Sequence, residues 1–107
     1  MEFNVSRNKG RVDVQIIGPV DWVNSHNLER EFNKLLLWDF KEAVFNLSSV
    51  PFISSSAIGK LLVFYKKAKS TGKKIRIKGI NRNLLSLFRI IKLDSLFPME
   101  AWVLPIK

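Results

Sequence analysis

Three consecutive serines, Ser54-Ser55-Ser56, stand directly before a segment of helical period, and their placement is the most suggestive of chemistry in the chain. Backbone N–H groups at a helix start lack intrahelical acceptors, and the helix dipole is positive there. A phosphate on one of these hydroxyls would therefore be tolerated by the fold and felt by a docked partner. Ordinary N-capping, the plainer explanation, needs only one of the three. Other reactive groupings fail on inventory or spacing. The 107 residues include no Cys and one His, which excludes a disulfide framework, thiolate zinc, a cysteine nucleophile and a multi-histidine metal centre. His26, among Asn24, Ser25 and Asn27, has no orienting partner and nucleophile beside it in the sequence and reads as a surface side chain. Ser70-Thr71-Gly72-Lys73-Lys74 has the look of a phosphate loop, but Lys67 occupies the position of the earlier Gly and Lys74 that of the Mg²⁺-holding Ser or Thr. It is read as a helix stop and turn. The expectation is a protein that is not an enzyme and holds neither metal nor cofactor.

The elements that must position the serines follow from periodicity. Phe3 and Val5, then Val12, Val14 and Ile16, recur at every second residue around Asn8-Lys9-Gly10, the pattern of an antiparallel hairpin with one buried face. Leu28, Phe32, Leu35 and Leu36 mark a helix over residues 24 to about 38. Residues 43–47 form a short apolar run read as a buried strand, and residues 48–53 a loop, because Pro51 cannot join a central ladder. From the serines to about Ser70 the helical period returns, with Ile58, Leu61, Leu62, Tyr65 and Ala68 expected inside and Gly72 as the stop. Residues 74–78 alternate as a strand, and Asn81 can cap a third helix with Leu84, Leu87, Phe88 and Ile91 on its inner stripe. The segment 97–104 is apolar and is left open between a strand and a short packed tail. The order predicts one α/β domain over residues 1–107: a mixed sheet of four to five strands with an N-terminal hairpin and three to four packed helices.

At about 100° per residue, Ser56, Lys60, Val63 and Lys67 share the side of the second helix opposite its expected core face, with Phe64 on the flank. A purely solvated stripe needs neither Val63 nor Phe64, so this side is a candidate docking surface.

The formal charge of +9 is unevenly spread. Residues 1–59 carry six basic and seven acidic residues, whereas residues 60–107 carry twelve basic residues against Asp94 and Glu100. Solvated faces account for such a run, and the exposed aromatics that would stack bases are not evident in it. The alternative reading of the chain is a constitutive basic module for nucleic acid or an anionic surface. No apolar run approaches the roughly 20 residues that span a bilayer, and MEFNVSRNKG lacks a signal-peptide core, so the expected location is the cytoplasm.

Phe45-Asn46-Leu47-Ser48-Ser49-Val50-Pro51-Phe52-Ile53-Ser54-Ser55-Ser56-Ala57-Ile58-Gly59 resembles the signature of STAS domains, the family of bacterial anti-sigma factor antagonists, in which a strand D-L-S-x-V-x-F-I precedes D-S-S-G-L-G at a helix start. Ile17-Gly18-Pro19-Val20-Asp21, with Asn24 and Leu28, resembles the family's G-x-L-D segment; Gly72-Lys73-Lys74-Ile75 and residues 87–93 resemble its later strand and helix. The resemblance implies a STAS-like fold and a partner-switching regulator that is monomeric when free. It aligns Ser56 with the phosphorylated serine, with Ser55 and Ser54 as the other acceptors. Taken with the exposed stripe of the second helix, it gives an expected partner surface of Asp21, Asn24, Ser54, Ser55, Ser56, Ala57, Lys60, Val63, Phe64 and Lys67. The implied partners are a serine kinase or anti-sigma-type protein of the histidine-kinase-like ATPase fold, which binds the unphosphorylated form, and a PP2C-type phosphatase. The implied outputs are transcription, biofilm polysaccharide production or secretion. This chain departs from the signature in having Asn46, Ser54 and Ala57 where the family has Asp, Asp and Gly.

Overall fold

The computed structural model of the chain describes residues 1–96. Strands β1 (Glu2–Asn8) and β2 (Arg11–Ile17) form the expected hairpin, and Lys9 and Gly10 both take positive φ at its tip. That conformation is the one whose twist matches the flanking strands, and Gly adopts it freely. Helix α1 (Ser25–Leu36), strand β3 (Glu42–Ser49), helix α2 (Ser55–Ser70), strand β4 (Lys74–Ile80) and helix α3 (Arg82–Ile90) follow, with a 3₁₀ turn at Leu93–Ser95. The sheet order is β1-β2-β3-β4, antiparallel between β1 and β2 and parallel thereafter. Every crossover steps in the same direction. With the usual right-handed connection this puts the helices on one face and, among the described residues, leaves the other open.

Alternation along the strands divides the residues accordingly. Val12, Val14 and Ile16 of β2, Ala43, Phe45 and Leu47 of β3, and Ile75 and Ile77 of β4 join one buried cluster with Leu28, Phe32 and Leu35 of α1. At its centre the Phe32 and Phe64 rings stack at 4.6 Å, and Phe45 meets each of them edge-on. Stacked and edge-on pairs add to the area they bury. The open face carries charges instead: Arg11 pairs with Asp13 at 3.3 Å, and Arg76 with Glu42 at 3.4 Å. Val44 lies on this far face, outside the main cluster, yet is buried.

Three expectations need correction. The buried face of α2 is Ala57, Leu61, Phe64 and Ala68, while Ile58, Leu62 and Tyr65 are only half-buried. The spacing of that set is as helical as that of the expected one, and it places the larger Phe64 ring at the centre between two alanines. In α3 the buried residues are Leu84, Leu85 and Phe88; Leu87 lies at the margin and Ile91 is exposed. Strand β3 extends through Ser49, and Ile53 forms a parallel bridge with Val20 inside the expected loop. The expectation for residues 97–104 lies outside the described residues.

Candidate functional site

The Val20–Ile53 bridge builds the serine end of the molecule. Val20 N donates to Phe52 O at 3.1 Å and Ser54 N donates to Val20 O at 2.8 Å, so the loops leaving β2 and β3 are joined immediately before α2 begins. One loop carries Asp21 and Asn24; the other ends at Ser54 and leads directly into Ser55 and Ser56 at the start of α2. Asp21 Oδ1 accepts from Asn24 N at 2.8 Å, and Asn24 Nδ2 donates to Pro19 O at 3.2 Å. These bonds shape the approach to α1, whose own cap residue Asn24 makes no side-chain capping bond.

The three serines differ in what holds them. Ser54 is the N-cap of α2, in extended conformation, and its Oγ accepts from Ala57 N at 3.2 Å. A neutral hydroxyl therefore satisfies one orphan donor where the family signature has a carboxylate. Ser56 is exposed in the first turn with its Oγ 3.1 Å from Ser54 Oγ. Ser55, the first helical residue, is also exposed. No acidic residue lies in the first turn of α2 to oppose added negative charge.

The remaining expected site residues separate. Val63 and Lys67 are exposed along α2. Lys60 turns to α1 and pairs with Glu29 at 3.3 Å, so its charge is already engaged. Ala57 and Phe64 correct the expectation: Ala57 has no exposed surface, and Phe64, 1% exposed, is a core residue stacked on Phe32. Neither can touch a partner without opening the core.

Residues missed in the sequence complete the surface. Trp22 is 71% exposed and Phe52 50%, and they flank Val20 and Ile53, the two bridged residues. A Trp in a segment with no buried period, directly after Asp21, was the available signal. Aromatic side chains that remain exposed beside a polar cluster are typical anchors of protein interfaces. His26 lies apart, beside Glu29, Arg30, Asn33 and Leu37 in a surface depression on α1. A hollow of about 620 Å³ lies on the open sheet face, and Asp13, the carboxylate lining it, is held by Arg11.

The STAS domain family model matches residues 2–103. The chain belongs to the STAS-domain family. Solved structures of anti-sigma factor antagonists share its fold at low identity. The unphosphorylated form of the anti-sigma factor antagonist SpoIIAA is 12% identical, with a TM-score of 0.78 over 94% of this chain and 89% of that one. SpoIIAA in its phosphorylated form, described as a Bacillus cell-fate determinant, gives a TM-score of 0.71 at 12% identity over 94% and 92% of the two chains. An anti-sigma factor antagonist from Mycobacterium paratuberculosis is 24% identical, with a TM-score of 0.79 over 94% and 86%. The mixed four-stranded sheet with three α-helices is thus the STAS fold as anti-sigma factor antagonists carry it. Among the described residues, no helix is long and apolar enough to cross a membrane.

Proposed function

We propose that this STAS domain is a phosphorylation-controlled protein-binding regulator whose phosphoacceptor is Ser56. The observation that carries the reading is the exposed Ser56 hydroxyl in the first turn of α2, directly after a loop hydrogen-bonded to the one bearing Asp21 and Asn24. Ser54 is a weaker acceptor because its oxygen is committed to the cap, whereas Ser55 shares the exposure of Ser56. The unphosphorylated surface, with Trp22 and Phe52 beside the serines, binds a serine kinase or anti-sigma-type protein of the histidine-kinase-like ATPase fold. Transfer of the γ-phosphoryl of ATP to Ser56 Oγ, with loss of the hydroxyl proton, puts roughly two negative charges into that interface. The helix start accommodates the charge, and the partner surface is repelled by it. A PP2C-type phosphatase reverses the switch. An ATP-dependent partner places this cycle in the cytoplasm.

Intact-mass measurement after incubation with the cognate kinase and ATP tests the site. One added phosphate is expected on the wild-type chain and none on Ser56→Ala; undiminished label on that variant would move the acceptor elsewhere. Ser56→Asp should weaken kinase binding while the far-UV spectrum stays that of the native fold. Unaltered affinity of the Asp variant would remove phosphorylation as the switch.

A further inference from the structure

The end of the sheet farthest from Ser56 collects positive charge from three separate stretches of chain. Asn8, Arg11, Glu42 and Lys74 are successive cross-strand partners and form one row across the sheet. Lys9, Lys41 and Lys73 sit one step beyond that row. Gly10 O accepts from Lys41 N at 2.7 Å, and Lys41 O accepts from Lys74 N at 2.8 Å, so the hairpin tip and the entries to β3 and β4 are fixed side by side. At about 4.8 Å between strands, these lysines start from backbone positions spanning on the order of 15 Å. Lys69 adds to them from the last turn of α2.

Part of this charge answers the negative ends of helices, since Lys34 lies in the last turn of α1, and Lys67 and Lys69 in that of α2. Lys9 and Lys41 stand on no helix. Lys9, Lys41 and Lys74 are exposed and enter no ion pair among the described residues. Nearby acids compensate little: Asp13 and Glu42 are held by Arg11 and Arg76, which leaves Asp39, among the residues whose exposure is described, as the exposed carboxylate at this end. Leu37, at the C-cap of α1, is 87% exposed at this same end. Beside it Trp38 is half-buried, with the Arg7 guanidinium 4.1 Å from its ring centre.

We propose that this lysine pole, with Leu37 as its apolar contact, is a docking surface for an anionic phospholipid bilayer and turns the Ser56 end away from the membrane. Charge complementarity calls for a polyanionic surface, and the side-chain types, with Leu37 exposed among lysines, favour lipid over nucleic acid. The two arginines of the row are occupied by carboxylates and Arg7 lies over the Trp38 ring, so the unpaired charges of the row and its turns are lysine ammonium groups, point charges without the guanidinium fork that reads base edges. Clustered lysine ammonium groups with a protruding Leu and a Trp at the rim are the composition that binds anionic bilayer surfaces without spanning them. The inference stands apart from the phosphorylation of Ser56, whose surface lies at the other end of the strands.

Cosedimentation of the full chain with vesicles tests it. The protein should pellet with vesicles of three parts phosphatidylcholine to one part phosphatidylglycerol, stay in solution with phosphatidylcholine alone, and be released as salt is raised. A combined Lys9→Gln, Lys41→Gln and Lys74→Gln variant should bind the anionic vesicles on the order of 100-fold more weakly. Ser56→Asp should bind them as the wild type does. Equal binding to both vesicle types, salt-insensitive binding, or full binding by the triple variant would overturn the proposal. So would binding to duplex DNA without binding to the anionic vesicles, which would assign the pole to nucleic acid. The salt series uses the wild-type chain, so it decides even if the triple variant fails to fold.

Discussion

The two ends of the parallel strands are built from the same kind of part, loops bridged by backbone hydrogen bonds, and they carry opposite chemistry. At the serine end, Val20 and Ile53 join two loops that present hydroxyls, one carboxylate and exposed aromatic rings. At the other end, Gly10 and Lys41 join three loops that present ammonium groups and one exposed leucine. About 20 Å of strand separates them. The first end has the anatomy of a specific protein interface, with aromatic anchors and polar groups in fixed geometry. The second has the diffuse charge that suits an extended anionic surface. The two proposals together make one small domain that is held at one end and switched at the other.

The largest effect is expected where the comparison should break completely, in the core that both ends share. Phe64→Ala removes the ring stacked on Phe32 and should cost about 3–5 kcal/mol in urea unfolding; a loss below 1 kcal/mol would mean that Phe64 is not the core residue described. Next, the triple lysine variant should lose about 2.7 kcal/mol of vesicle binding, the equivalent of 100-fold, yet keep its affinity for the kinase partner in titration calorimetry. Loss of both activities would show that the two ends are not separable. Ser56→Asp should reverse that pattern, with kinase affinity falling by at least about tenfold, or 1.4 kcal/mol, and vesicle binding unchanged. Ser54→Ala should cost about 1 kcal/mol of stability through the lost cap to Ala57 N, read as a lower denaturation midpoint. The smallest change is expected for Lys60→Gln, because its pair with Glu29 is partly solvated and such pairs contribute about 0–1 kcal/mol. A larger kinase-binding defect in that variant than in Ser56→Asp would return Lys60 to the partner surface.

Local chemistry made much of this legible in the sequence. The hairpin, the Gly72 stop with its positive φ, and the Asn81 cap, whose Oδ1 accepts from Leu84 N at 2.9 Å, each rest on the preference of a residue for its own backbone conformation. Asn81 also donates from Nδ2 to Val50 O, a tertiary contact that no local rule predicts. The faces of α2 and α3 were harder to read. In α2 nearly every position from Ala57 to Tyr65 is apolar or small, so two adjacent stripes satisfy the helical period and only the fit of Phe64 against Phe32 and Phe45 selects one. The serine cluster could be read because its residues are contiguous. The lysine pole could not: Lys9 and Lys41 belong to the half of the chain whose net charge is −1, and only the sheet register brings them to Lys73 and Lys74.

The open sheet face has a consequence for how this domain meets its neighbours in solution. A sheet covered on one side only is half of a sandwich, and a second row of apolar side chains on its bare side would invite another molecule to complete it. Here Val44, the buried aliphatic residue of that side, lies between Asp13 and Arg76 in the cross-strand register, and both belong to ion pairs. The hydrocarbon stem of an arginine shields such a position while its head stays wet. Stacking two of these faces would strip water from both ion pairs of each copy, a desolvation cost that the small apolar area of Val44 cannot offset. Among the described residues, this side is thus protected against aggregation by its charges.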